Sequence, residues 1–140
     1  MVMAAETAHL FSTVSGKFFP ISDSHSQVIA AANMSEGDVL LFFSYSGATR
    51  EMSETLNVAR SRGAKVILVT RFPRSPGAAL ANVVLCCGSN EGPLQLSSVP
   101  AKIAQMYLMD VLFSAFCRRN LALCRENRAR VAEALADKHL

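Results

Sequence analysis

The sequence predicts an α/β fold, a parallel sheet layered by helices. Three observations carry that prediction. Short apolar runs alternate with longer helical patterns along the whole chain, the order that builds strand–helix–strand units. The runs at 39–44, 65–70 and 83–87 are close to continuous in aliphatic and aromatic residues, as strands covered on both faces must be. Between them stand clusters that regular structure does not tolerate, such as Ser35-Glu36-Gly37-Asp38 and the proline-broken RFPRSPG at 71–77.

The elements follow in order. A first helix is expected over 4–15, where Ala8, Phe11 and Val14 recur at helical spacing and Gly16 can close it. Residues 18–22 read as a short strand, the first of about four. Asp23 or Ser24 can cap a second helix running to about residue 33, with Val28, Ile29 and Ala32 facing inward. A buried strand over 39–44 follows the turn at 35–38. Residues 50–62 are helical: Met52, Leu56 and Ala59 form the apolar stripe, arginines complement the dipole in the last turn, and Gly63 lies just past the end. A strand over 65–70, one helical turn at 78–81 and a strand over 83–87 complete the sheet. After a polar connection at 88–98, Ser98 can cap a helix over 99–119 that tolerates Pro100 in its first turn. That helix is apolar nearly all round, so it must be buried in the core or against a partner chain. A last helix spans 121–138.

The 140 residues read as a single domain over 1–140, long enough for a substantial core. Hydrophobic residues at 51% against 18% charged exclude a disordered chain. No apolar stretch approaches the ~20 residues of a membrane span. Glu6 and His9 interrupt the first apolar residues too early for a signal peptide, so a cytoplasmic address is expected. A net charge of +3 is too mild to imply nucleic acid. Arg118, Arg119, Arg125, Arg128 and Arg130 interleave with Glu126, Glu133 and Asp137, the pattern of a solvated helix face. Cys86 and Cys87 are adjacent on a strand and point to opposite faces, whereas Cys117 and Cys124 are seven apart, a spacing that shares one helix face. Without a C-x-x-C pair they read as small buried hydrophobes in a reducing compartment, and neither a metal site nor a cofactor is expected.

The chemistry concentrates in Ser44-Tyr45-Ser46-Gly47-Ala48-Thr49, where a buried strand hands over to an amphipathic helix. In open α/β sheets, ligands bind at this carboxyl edge. Ser44, Ser46 and Thr49 offer three hydroxyls, Gly47 lets the backbone approach closely, and the first helical amides lack intrahelical partners. A phosphate monoester asks for that set: several donors and the positive end of a helix. A plain helix cap with a turn glycine is the simpler alternative. Neither G-x-x-x-x-G-K-[ST] nor G-x-G-x-x-G occurs.

The string SYSGATRE at 44–51 resembles the phosphosugar-binding signature of the SIS (sugar isomerase) fold. GAKVILVT at 63–70, the SP at 75–76, ALANVVL at 79–85, SSVPAKIAQMYLMDVLF at 97–113 and DSHSQ at 23–27 extend the likeness over roughly residues 4–118. The set looks most like the sensor domain of RpiR-type bacterial transcriptional regulators. The resemblance implies a doubly wound, flavodoxin-like parallel sheet and a dimer or tetramer that binds a phosphorylated sugar. By position, Ser44, Ser46 and Thr49 would grip the phosphate, Tyr45 and Gly47 would lend amides, and Ser97 or Ser98 and Glu91 would add contacts. The family carries a preceding strand with a glycine- and serine-rich loop, whereas this chain begins at the helix after it, which leaves four of five strands. DNA contact would run through a helix-turn-helix domain that nothing here resembles.

Two functions compete. A phosphosugar sensor for a regulator of carbohydrate metabolism needs a phosphate grip and an oligomer interface, with no catalytic residue. An aldose–ketose phosphate isomerase also needs a base to move a proton between adjacent carbons. His25, Glu51, Glu54 and Glu91 are the candidates for that role, although His25 is equally a helix-start residue, Glu51 suits the helix dipole, and Glu54 suits a solvated face. A module whose cup is vestigial is the third reading. The sensor ranks first.

Overall fold

The computed structural model describes residues 2–88 and 99–136. Its elements run α1 (Val2–Ser12), α2 (Ser24–Ala32), β1 (Val39–Phe43), α3 (Arg50–Ser61), β2 (Lys65–Thr70), α4 (Pro76–Leu80), β3 (Val83–Cys86), α5 (Val99–Arg119) and α6 (Leu121–Leu135). The strands form one parallel sheet in the order β1-β2-β3. The α/β layering expected from the sequence is what forms, with three strands among the described residues instead of four.

Alternation along the strands separates the two faces. Leu40 and Phe42 of β1 and Val66 and Leu68 of β2 pack with Ala31 of α2 and Met52, Leu56 and Ala59 of α3, and α4 joins this layer through Ala78 and Leu80. All three members of the predicted α3 stripe are at most 1% exposed. A second cluster joins α1, α5 and α6 through Phe11, Val14, Phe113 and Cys124. Phe11 is its hub, with rings of Phe18, Phe113 and Phe116 at 4.5, 5.3 and 5.5 Å. Stacked and edge-to-face aromatic pairs of this kind add to the area they bury. α1 also touches β1, so helices approach the sheet from both faces.

Polar latches set the remaining geometry. Asp23 caps α2 by accepting the Ser26 amide at 2.8 Å, and that amide, with the Ser26 hydroxyl, holds the carboxyl below its ordinary range. Asn82 fixes the entry to β3: its Oδ1 accepts the Val66 amide and its own amide donates to the Val66 carbonyl, both at 2.8 Å. Arg60 donates to the Ala79 and Leu80 carbonyls, tying α3 to the end of α4.

Two expectations need correction, and that for α5 is met on one side of the helix. Residues 18–22 form no strand. Pro20 has no amide to donate, and among the described residues no strand lies beyond β1. The Phe18 ring turns into the α1–α5 cluster, while Phe19 stays 79% exposed. In α2 the inward face runs through Gln27, Val28 and Ala31, so Ile29 and Ala32, about 100° per residue off that face, are exposed. Helix α5 buries one side through Ala101, Gln105, Met109 and Phe113, and leaves Val99, Ile103, Met106, Tyr107 and Val111 exposed. Smaller shifts are at the ends, where α1 occupies Val2–Ser12 and α6 ends at Leu135 among the described residues. No described helix is long and apolar enough to cross a membrane.

One buried group in α1 lacks a partner. Thr7 is 5% exposed, and its hydroxyl has no hydrogen bond. Replacing an unsatisfied buried hydroxyl by a methyl of the same shape removes a desolvation cost of ~1–3 kcal/mol. Thr7→Val is therefore expected to stabilise the fold by about 1 kcal/mol in urea unfolding; a loss of stability would show that the hydroxyl is satisfied in solution.

Candidate functional site

The carboxyl edge of the sheet is built from two loops in contact. The first, residues 44–49, continues β1 into α3; the second, residues 71–75, continues β2 into α4. Because β1 and β2 pair in parallel from Val39↔Lys65 to Phe43↔Val69, both loops leave the sheet at the same level. Ser44 extends the ladder by donating its amide to the Val69 carbonyl at 3.0 Å. The Tyr45 carbonyl then accepts from the Arg71 amide at 3.1 Å and from the Thr70 hydroxyl at 3.0 Å. The Tyr45 ring stands edge-on to Phe72, centroids 5.7 Å apart.

Gly47 is the tightest point. Its φ is +61°, and a Cβ there would lie 2.2 Å from Ser75 Oγ. Its carbonyl accepts the Gly77 amide at 2.8 Å. Gly77 is equally confined, since a Cβ on it would lie 2.6 Å from Met52 Cε and 3.0 Å from the Gly47 carbonyl oxygen. Ser75 Oγ caps α4 by accepting the Ala78 amide at 3.3 Å. Ser75 entered the sequence argument only within the SP at 75–76, and Thr70 and Gly77 as no more than parts of a strand and a proline-broken loop. The signal for Ser75 and Gly77 was the S-P-G after a strand, a helix cap followed by a proline at the first helical position.

The hydroxyls of the first loop are fixed from within. Ser44 Oγ accepts the Gly47 amide at 3.1 Å, and Ser46 Oγ accepts the Ala48 amide at 3.3 Å. A hydroxyl that accepts in this way keeps its own hydrogen to donate. Gly47 thus spends its amide inside the loop instead of lending it, as expected, to a ligand. Thr49 sits at the N-cap of α3 without a side-chain cap bond, so neither its hydroxyl nor the amides of the first turn are consumed by the cap. Glu51 and Thr49 are exposed, Ser44 and Tyr45 half-buried.

Two hollows flank the loop. One of about 310 Å³ is lined by Ser46, Phe72, Pro73, Arg74, Ser75 and Pro76. A larger one of about 540 Å³ lies between the ends of β2 and β3 and helix α5, with Arg71, Cys87, Gly88, Ala104, Tyr107 and Leu108 on its walls. Of the three loop hydroxyl residues, Ser46 lines the smaller hollow. Gly88 connects the larger one to the loop, since a Cβ there would lie 3.0 Å from Arg71 Cδ and 3.4 Å from the Tyr45 ring. Burial pushes the Cys87 thiol above its usual range, a poor setting for a nucleophile.

The candidate bases are dispersed. His25 is exposed in the first turn of α2, Glu51 is exposed at the start of α3, and Glu54 accepts from Arg50 Nε at 3.0 Å in a surface pair. Glu91, Ser97 and Ser98 lie outside the described residues. Among the described residues, no group of three His, Cys, Asp or Glu side chains could hold a metal ion.

A model of the SIS domain family matches residues 2–115. The chain is 34% identical over 112 residues to an uncharacterized HTH-type transcriptional regulator of Caldanaerobacter subterraneus, covering 80% of this chain and 40% of that protein. It is 30% identical over 119 residues to the HTH-type transcriptional regulator RpiR of Escherichia coli, covering 85% of this chain and 40% of RpiR. The chain thus spans about 40% of the length of these relatives. Among solved structures, the Vibrio vulnificus NanR protein complexed with ManNAc-6P superposes with a TM-score of 0.89 at 23% identity, over 99% of this chain and 53% of NanR.

The two glycines make a mechanical prediction. Gly47→Ala meets both a left-handed backbone cost of ~1–2 kcal/mol and an overpacking cost of ~1–3 kcal/mol. It should lose about 2–5 kcal/mol in urea unfolding, more than Gly77→Ala, whose nearest obstacle is the end of a methionine. A Gly47→Ala protein as stable as the parent would mean that the loops separate freely.

Proposed function

We propose, from the premise that this chain belongs to the SIS domain family, that it is a phosphosugar-binding sensor domain of a bacterial regulator of carbohydrate metabolism. The observation that carries the reading is the loop at 44–49. Ser44 and Ser46 each accept a loop amide and so keep an O–H to donate, beside an uncapped Thr49 and the amides that open a 12-residue helix. A phosphate dianion collects such donors, and charge roughly doubles the strength of each bond. In this reading Ser44, Ser46 and Thr49 hold the phosphate. Tyr45 and Gly47 shape the backbone around it, and Ser98 and Glu91 contact the sugar from the connection before α5. Sugar phosphates of the ManNAc-6P kind, the ligand of NanR, are the first to try.

The sensor reading asks for no acid–base pair, and the exposed, scattered positions of His25, Glu51 and Glu54 favour it over an isomerase. The wider expectations belong to the same proposal. The domain works in the cytoplasm as a dimer or tetramer, to which the apolar side of α5 contributes, and DNA is reached through a separate domain.

Binding and turnover are separated by one set of experiments. Sugar phosphates are screened by thermal shift, and hits are measured by calorimetry and by an aldose–ketose isomerase assay. Stabilisation without turnover is expected. Turnover that is lost in Glu91→Gln or His25→Ala would instead establish an enzyme. The double variant Ser46→Ala/Thr49→Ala removes two charge-assisted donors and should cost ~2–3 kcal/mol, roughly 30- to 150-fold in Kd. Unchanged affinity would remove the loop from the site.

A further inference from the structure

Residues 44–49 gather hydroxyls and amides but carry no positive side chain. The charges beside them do not help. Arg50 is spent on Glu54, to which its Nε donates at 3.0 Å, and Glu51 adds a negative charge in the first turn of α3. Arg71 lines the larger hollow, beside α5. A dianion taken from water into neutral donors keeps a desolvation cost that a nearby cation offsets. The smaller hollow holds such a cation.

Ser46, Arg74 and Ser75 line that hollow of about 310 Å³ together with the apolar Phe72, Pro73 and Pro76. Ser75 is 8% exposed, and its Oγ accepts the Ala78 amide, so its own hydrogen remains to be given. Arg74 is exposed, and among the described residues its guanidinium has neither a hydrogen bond nor an ion pair. The backbone that carries it is fixed. Pro73 and Pro76 lock φ on either side, the Ser75 amide donates to the Phe72 carbonyl at 3.1 Å, and the Gly77 amide donates to the Gly47 carbonyl at 2.8 Å. The loop of Arg74 is thus held against the loop of Ser46.

We propose, resting on the reading of residues 44–49 as a phosphate grip, that Arg74 is a further ligand-binding residue and that the phosphate bridges the two loops at the smaller hollow. Ser46 donates to it from the first loop, Arg74 and Ser75 from the second. A guanidinium suits the task because it offers parallel N–H groups to a phosphate and never loses its charge. The charge also sets the ligand class. Serine hydroxyls can bond an uncharged sugar as well as an ester, whereas Arg74 favours the dianionic monoester. The stretch RFPRSPG, marked in the sequence only as a break in regular structure, then carries half of the grip.

Inorganic phosphate is the probe. The full chain, labelled with nitrogen-15, is titrated with it at neutral pH and at two fixed ionic strengths, and the backbone amide signals of Ser46 and Arg74 are followed by NMR. Both signals should move along one saturating curve. Arg74→Gln should weaken binding by roughly 3- to 10-fold, and Arg74→Lys, which keeps the charge and loses the fork, should lie between. Added sodium chloride should weaken binding to the parent more than to Arg74→Gln. The side chain is exposed, so both variants should unfold at the parent's urea midpoint. Saturation at Ser46 with the same Kd in Arg74→Gln as in the parent overturns the inference and leaves the phosphate grip standing. A Ser46 signal that does not respond to phosphate in the parent removes the grip, and Arg74's part in it as well.

Discussion

The close approach of two successive loops at the carboxyl edge of the sheet is the constraint from which the site follows. Gly47 and Gly77 exchange a backbone hydrogen bond of 2.8 Å, and neither position has room for a Cβ. Thr70, fully buried, donates to the Tyr45 carbonyl. Residues 44–49 are thus located less by their own sequence than by the strand and helix that come after them. Parallel pairing is the cause, because it delivers both loops to one edge at one height. A loop held by its neighbour on a rigid scaffold can present short side chains in fixed directions.

The direction in which those side chains are spent matters as much as their number. A serine that donates to the backbone has only lone pairs left for a ligand, whereas one that accepts from the backbone still has a proton to give. Ser44 and Ser46 both accept. Two loop amides are consumed in the process, so under the proposed function the hydroxyls, with Thr49 and the opening of α3, would hold the anion in their place. Under the proposed function the loop is a donor surface made in advance, which would leave little ordering to be done when a ligand arrives.

What the sequence revealed follows a physical division. Elements governed by local periodicity were legible: Lys65–Thr70 and Val99–Arg119 match their expected bounds, and the Met52–Leu56–Ala59 stripe is buried as its spacing requires. Elements that depend on a distant partner were not. Residues 18–22 have strand composition, but a strand exists only beside another strand, and Pro20 weakens the run further. Ile29 was misplaced because several faces of a short alanine-rich helix look alike until its neighbour is known. In the site, the hydroxyl residues were visible as a motif. The contacts of Gly47 with Ser75 and Gly77 join residues 28 to 30 apart in sequence, and no local pattern announces them.

The same geometry bears on the difference between holding a sugar phosphate and transforming it. A grip on a phosphate that does not itself react stabilises the bound substrate and the transition state alike, which yields affinity without rate. Rate would require a base beside the sugar carbons, with its proton affinity adjusted by burial or by a neighbouring charge. The described acidic and imidazole candidates are scattered over the surface: His25 and Glu51 are exposed, and Glu54 pairs with Arg50. A sensor asks for something else, a ligand whose contacts differ between two states of the protein. The loop at 44–49 touches β2, the start of α4 and the approach to α5 through Gly88. Under the proposed function, a phosphate held there would bear on all three, as a sensor requires.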